Sequence, residues 1–398
     1  MTAELIEGAQ VLFEDRVETA AVRIEAGLIT GIDVARDGAT VVHGRGMLLA
    51  PAFVDIHGDA FERQLMPRPG VAVPTETALL ETDRQLAANG IGTAYHALTL
   101  SWEPGLRSVD SGWQVVHALD SLNHRLTTDN RLQLRWETFC DQAEPLIAHV
   151  MAGTDRPALA FNDHTTSMLL HPDVPPQDRP FDQVDPYPVT PFDAPRFQKK
   201  MQDQARRAQV TPEDYVALIR KAWHRRPEVP AQIDRLAALA RAHGVPMLSH
   251  DDSQTETRAY YRGLGSRVAE FPMHERVCLA ARDAGDMIVL GAPNAMRGGS
   301  HLGSPGAADM IKRGLCDILA SDYYYPAMLG AVFRLLADGV APLPTLWKLV
   351  SQNAAAAMGL SDRGRVAPGL RADLVLLDAP EGHTPAPLRT WVAGRRGY

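Results

Sequence analysis

Near the start of the chain, segments 9–13, 19–24 and 28–32 alternate apolar and polar residues with no helical period, which predicts short antiparallel strands with one buried face. From about residue 48 the pattern changes to short apolar runs separated by helical stretches, the signature of parallel βα units. The runs fall at 49–57, 93–100, 132–138, 158–164, 246–250, 268–272, 287–292 and 317–322. Eight such strands predict an α/β chain with a closed (β/α)8 TIM barrel. Strand patterning returns after about residue 350, at 364–366, 373–377 and 391–393. The two termini, 1–50 and 350–398, are therefore expected to share a small β-sandwich domain, with the barrel at 51–349.

The helices announce their ends. Thr211-Pro212-Glu213 offers an N-cap, a proline at the first helical position and an acidic first turn. A second helix is expected over 231–243, where Ile233, Leu236, Ala237 and Ala240 share a face and Gly244 can end it. Segment 171–196 breaks the rhythm with eight prolines, too many for a helix or a central strand. It reads as a long ordered loop or lid, with a disordered linker as the alternative.

Composition narrows the classes. A hydrophobic fraction of 45% and a charged fraction of 22% allow a large buried core. No run approaches the length of a membrane helix, and MTAELIEGAQ lacks a secretory pattern, so a cytoplasmic protein is expected. Cys140, Cys278 and Cys316 are widely spaced without a CxxC, which argues for reduced core residues. A formal net charge of -8 argues against a nucleic-acid partner, so a small anionic substrate would need locally concentrated positive charge.

Candidate chemistry collects at the C-terminal ends of the predicted barrel strands, where barrel enzymes carry it. The first strand ends Val54-Asp55-Ile56-His57-Gly58-Asp59, and its His-x-Asp spacing sets His57 and Asp59 on one face. The third ends in Glu137, the fourth in His164, the fifth in His250-Asp251-Asp252 and the eighth in Asp322. Any one of these residues is more often structural; recurrence on five strand ends points instead to a metal site. His57, Asp59, Glu137, His164, His250 and Asp322 are the predicted ligands. Imidazole and carboxylate without thiolate suit catalytic zinc best, with manganese, iron or nickel as alternatives. Glu137 is read as bridging two divalent ions whose shared hydroxide attacks an electrophile, while Asp322 takes and returns the proton. Asp55 is read as support for a neighbour, and either Asp251 or Asp252 can orient His250.

Gly291-Ala292-Pro293-Asn294 leads into Arg297-Gly298-Gly299-Ser300-His301, read as a glycine-bearing loop that offers backbone amides to an anion. Asn294, Arg297 and His301 are its substrate-contact candidates, although a turn that serves only backbone geometry fits too. Arg68, with Arg63, adds positive charge to the same mouth or is simply solvated.

With these residues in place, the chain resembles the amidohydrolase superfamily over essentially its whole length, down to Ala372-Asp373-Leu374-Val375, similar to the superfamily's returning β-sandwich strand. Within it, SHDD at 249–252, AEFP at 269–272, GAPNAMRGGSH at 291–301 and DILASDYY at 317–324 resemble the PhnM-type α-D-ribose 1-methylphosphonate 5-triphosphate diphosphatases. The resemblance implies hydrolysis of a phosphorylated sugar phosphonate to the 5-phosphate and pyrophosphate in phosphonate catabolism, ahead of the carbon–phosphorus lyase, by a homo-oligomer. The alternative is attack on a C–N bond, as in N-acyl or cyclic amide hydrolysis; a barrel that binds phosphorylated ligand without catalysis is a third reading. Two departures from the family pattern are Pro51-Ala52, where Pro-Gly is usual, and TTSMLLHP after Asp163-His164 in place of a Ser-Pro-Gly-Gln-rich turn.

Overall fold

The computed structural model describes residues 3–154, 156–299 and 303–398. In chain order the strands are β1 (Glu4–Leu12), β2 (Val17–Glu25), β3 (Leu28–Ile32), β4 (Thr40–His43), β5 (Leu48–Pro51), β6 (Phe53–Gly58), β7 (Ile91–Leu100) and β8 (Asp129–Glu137). There follow β9 (Ala158–Asn162), β10 (Met247–His250), β11 (Val268–Glu270), β12 (Met287–Gly291), β13 (Ile318–Ala320), β14 (Leu374–Asp378), β15 (Ala386–Val392) and β16 (Arg395–Arg396).

Strands β6 to β13 pair in sequence order, all in parallel. A parallel bridge between Gly58 and Asp322 joins the last strand's end to the first and closes the barrel. Residues of β7 are buried along its whole length, as a strand covered on both faces requires. The terminal strands form one mixed sheet in the order β16-β15-β14-β5-β1-β2-β3, with β4 also on β1. There β2 and β3 alternate buried and exposed residues, the period-two pattern read in the sequence.

The single strand expected at 49–57 is two strands in two sheets. At Ala52 the chain changes partners: Ala52 N–H donates to the Asp373 carbonyl at 2.9 Å, and the Pro51 carbonyl accepts from Trp347 Nε1 at 3.0 Å. Both groups are thus withdrawn from a continuous ladder. No strand forms at 364–366, where Gly364 takes a φ of 87° and packs its backbone on Gln352. Where the termini meet the barrel, Asp129 accepts from Arg363 Nη1 at 2.6 Å, and Arg371 bridges Asp129 at 3.2 Å and Asp373 at 2.9 Å.

The helix Pro212–His224 begins as read, with the Thr211 hydroxyl accepting from Asp214 N at 3.1 Å. Helix Val229–Ala242 buries Ile233, Leu236, Ala237 and Ala240, and Gly244 ends it at a φ of 63°. Burial of a side chain such as Leu236 contributes about 2 kcal/mol. All three cysteines are free and buried. Among the described residues no helix is long and apolar enough to cross a membrane.

Segment 171–196 packs against the barrel mouth as an ordered chain. It holds one 3-10 turn, Pro176–Asp178, and the bridge Leu170–Val189 ties its base; a helix, Pro195–Ala208, takes over at its end. Buried Arg179 anchors it, donating to the carbonyls of Asp163 at 2.8 Å and Asp251 at 2.9 Å, just past β9 and β10. Its own carbonyl accepts from Ser253 Oγ at 2.6 Å and Gln254 Nε2 at 2.9 Å.

Candidate metal centre at the barrel mouth

The register of β6 on β7 slips between Asp55 and Gly58, so His57 sits on a bulge and not in a regular ladder. Asp55 pins that bulge to the last strand, accepting from Ser321 N at 3.0 Å and from the Ser321 hydroxyl. The backbone continues the seam, with Asp322 N donating to the His57 carbonyl and Asp59 N to the Asp322 carbonyl, each at 2.9 Å. The residues just after β10, β11 and β13 turn sharply: Asp251, Phe271 and Asp322 have φ of 58°, 52° and 55°. Such left-handed conformations cost about 1–3 kcal/mol each in non-glycine residues and tend to cluster at functional sites.

Two groups of potential ligand atoms meet here, sharing His57. One comprises His57, His250 and Glu270; the other His57, Asp59 and Asp322; within each group the atoms lie within 4.8 Å of one another. His57 Nδ1 approaches Glu270 Oε1 to 3.0 Å, and His250 Nε2 approaches Glu270 Oε2 at 3.9 Å. Of the two acidic residues after His250, Asp251 is the one beside its ring, with Oδ2 3.2 Å from Nδ1. None of these approaches has hydrogen-bond geometry, and His57 Nδ1, both ring nitrogens of His250 and Glu270 Oε2 are buried without a hydrogen-bond partner. Buried lone pairs left unsatisfied are costly, and a shared cation would satisfy them, so this donor set fits divalent metal. Gln133 Nε2 donates to Glu270 Oε1 at 2.6 Å and fixes the carboxylate, while Phe271 packs on both imidazoles. Burial pushes the Asp322 carboxyl up to about 6, with His57 opposing and Asp59 adding to the rise.

Four of the six expected ligands, His57, Asp59, His250 and Asp322, enter these groups. Glu137 and His164 form a neighbouring pair instead, with His164 Nδ1 3.1 Å from Glu137 Oε1. Glu137 also accepts from Asn162 and from His164 N, and burial pushes its carboxyl up to about 7. Burial, and then the charge of Arg135, push His164 down to about 3. The His164 and His250 rings are 6.2 Å apart, so the pair borders the groups. Arg135, itself buried, lies between, with Nη1 3.6 Å from Asp59 Oδ2 and Nη2 3.4 Å from His164 Nε2. Glu270 is the ligand candidate that sequence reasoning passed over, although a carboxylate ending the apolar run Val268-Ala269 is the same signal that picked out Asp322.

Of the substrate-contact candidates, Asn294 stands nearest the site. A Cβ on Gly291 would lie 3.6 Å from Asp322 Oδ2 and 3.7 Å from Asn294 Nδ2, and Asn294 Oδ1 has no hydrogen-bond partner. The expected loop after β12 begins as a short helix, Ala292–Arg297, because Pro293 suits a first turn and Gly298 at a φ of 85° ends it only afterwards. Arg297 is exposed at its last turn, and Arg68 is exposed in the turn bridged to Val71. His301 lies outside the described residues.

The comparisons with known proteins agree with this architecture. The α-D-ribose 1-methylphosphonate 5-triphosphate diphosphatase of Escherichia coli (strain K12) is 29% identical across 99% of this chain and 100% of its own. An adenine deaminase of Methylobacterium sp. (strain 4-46) is 48% identical over 68 residues, 17% of this chain and 12% of that one. The crystal structure of phenylurea hydrolase B superposes with a TM-score of 0.63 at 16% identity, over 99% of this chain and 96% of that one, a likeness of fold. Residues 199–398 match the amidohydrolase family (Amidohydro_3), a span that holds His250, Glu270 and Asp322 together with the returning strands of the terminal sheet. A closed barrel with its polar residues at one mouth, a sheet built from both termini and this family match lead to one conclusion: the chain is a hydrolase and belongs to the amidohydrolase family.

Proposed function

We propose that this hydrolase cleaves a phosphoanhydride, taking α-D-ribose 1-methylphosphonate 5-triphosphate to the 5-phosphate and pyrophosphate. One observation carries the choice of bond: similarity to the Escherichia coli diphosphatase runs through the whole of both chains, whereas similarity to adenine deaminase is confined to 17% of this one. The C–N reading rests on short matches of this kind, none of the adenine deaminases compared covering more than 17% of this chain.

In this reading His57, Asp59, His250, Glu270 and Asp322 would hold two divalent ions, with Glu137 and His164 beside them; zinc suits the donor set best. When bound, the ions lower the pKa of water and polarise the phosphoryl oxygen. Asp322 accepts the proton of the attacking water, whose oxygen bonds to phosphorus as the bond to the bridging oxygen breaks, and passes it to the departing pyrophosphate. Gln133 keeps the Glu270 carboxylate in place, and Arg179 holds the chain after β9 and β10 so that His164 and His250 face inward. Asn294 meets the substrate beside Asp322, with Arg68 and Arg297 further out as basic surface.

The test is a phosphorus-NMR assay of the metal-loaded protein on ribosyl 5-triphosphates. Pyrophosphate release is expected, with Asp322→Asn losing about 10²–10⁴-fold in kcat per metal-loaded molecule. Hydrolysis of N-acyl compounds with no phosphorus product would replace this reading with the C–N one, and unimpaired turnover in Asp322→Asn would remove Asp322 as the proton carrier.

A further inference from the structure

Arg135 is an unusual occupant of this site. It points from β8 into the barrel mouth, is only 6% exposed, and its Nε has no hydrogen-bond partner. Its terminal nitrogens meet two groups poorly, Asp59 Oδ2 at 3.6 Å and His164 Nε2 at 3.4 Å. Its charge also reaches His57, His250, Asp251 and Asp322.

A guanidinium stays charged under all ordinary conditions, and burying one without well-made hydrogen bonds is expensive. Other buried arginines are better served at their terminal nitrogens: Arg258, whose Nε also has no hydrogen-bond partner, donates through Nη1 and Nη2 to the Ser249 and Ser266 hydroxyls and to the Ser266 and Val268 carbonyls, and Arg179 donates to two carbonyls. Arg135 stands instead beside Asp59 and His164, at the edge of the two groups of potential ligand atoms. Cations near Asp59 and His164 would engage the very lone pairs that Arg135 now approaches, and would repel it. A fixed guanidinium beside cations is tolerable when a multiply charged anion completes the site. Its planar fork matches two oxygens of a phosphoryl group, a bidentate geometry that a neutral amide carbonyl does not offer.

We propose that Arg135 is a catalytic residue that binds the non-bridging oxygens of the phosphoryl group under attack and stabilises the charge gathering there in the transition state. This rests on the phosphoanhydride reading for its catalytic part, and on geometry alone for anion binding. It separates the substrate class, a polyphosphate, from the neutral C–N substrates that the same fold also serves.

The experiment compares metal-loaded wild type, Arg135→Ala and Arg135→Lys by three readouts: elemental analysis, titration calorimetry with inorganic pyrophosphate, and release of pyrophosphate from a ribosyl 5-triphosphate. Both variants are expected to keep full metal content. Arg135→Ala should bind pyrophosphate at least about tenfold more weakly and lose about 10²-fold in kcat. Arg135→Lys should recover part of the binding and little of the rate, since it keeps the charge and loses the fork, and added guanidinium should partly rescue Arg135→Ala alone. Loss of metal in either variant would overturn the proposal and make Arg135 a positioning residue for Asp59 and His164. Wild-type pyrophosphate affinity and rate in a metal-replete Arg135→Ala would also overturn it. If wild type cleaves no phosphoanhydride yet binds pyrophosphate through Arg135, the functional reading fails while the anion site stands; if wild type cleaves and Arg135→Ala does so equally, the reverse holds.

Discussion

At the N-terminal end of the barrel, buried Asp83 accepts hydrogen bonds from Thr127 N at 2.8 Å, Thr128 N at 2.9 Å, the Thr128 hydroxyl at 2.6 Å and Asn130 Nδ2 at 2.9 Å. At the opposite end, Glu270 is more deeply buried still, yet one of its oxygens has no hydrogen-bond partner, and neither do three ring nitrogens of the adjacent histidines. Both carboxylates are enclosed by the same fold. The first is saturated by its own chain and has nothing left to offer; the second is arranged for something else. Burial alone therefore separates nothing here, whereas unspent hydrogen-bonding capacity does.

The comparison breaks if the two carboxylates respond alike to substitution. Glu270→Gln should leave the fold intact, reduce bound metal, and lower kcat/KM by about 10³-fold, the equivalent of several kcal/mol of lost electrostatic stabilisation. Elemental analysis and a pyrophosphate assay read both effects; full metal content would place Glu270 outside the ligand set. Asp83→Ala should do the opposite, lowering the unfolding free energy by about 3 kcal/mol in urea because several buried donors lose their acceptor, with kcat and metal content per folded molecule unchanged.

The smallest effect sharpens the structural side. His96, on β7, bonds through Nε2 to Asn130 Oδ1 at 2.7 Å, and burial holds its pKa below the ordinary value, with the Asn130 bond opposing only in part. The folded protein then binds fewer protons than the unfolded chain at acid pH. The resulting stability is complete above pH about 6.5 and erodes as pH falls, by at most about 1.4 kcal/mol per pH unit. The stability difference between wild type and His96→Gln should accordingly shrink between pH 8 and pH 5; a constant difference would mean that the imidazole is not held neutral.

The barrel strands were legible because burial on both faces leaves uninterrupted apolar runs, and the mouth was legible because ligand-type residues stand where those runs stop. His57, Asp59, His250 and Asp322 follow from that rule. Glu270 obeys it too, but Val268-Ala269-Glu270 is so short a run that the carboxylate reads as part of the following turn. Arg135 could not be singled out, since an arginine two residues inside a strand end has no distinctive period, and its environment exists only after β6, β8 and β9 converge. The sheet change at Ala52 was hidden for a similar reason: 48–54 is apolar throughout, and only distant partners, Asp373 and Trp347, divide it. The prolines of 171–196 excluded regular structure, but nothing local announced that Arg179 would be buried as an anchor.

The seam between Gly58 and Asp322 has a consequence for biogenesis. Asp55 and Ser321, the residues that lock it, are 266 positions apart, so His57 and Asp59 emerge from synthesis long before Asp322 can stand beside them. A nascent polypeptide carries half a cage. Cation capture by the complete cage would favour the finished fold over every truncated one, and ion occupancy would then report whether the molecule's first and last barrel strands have found each other.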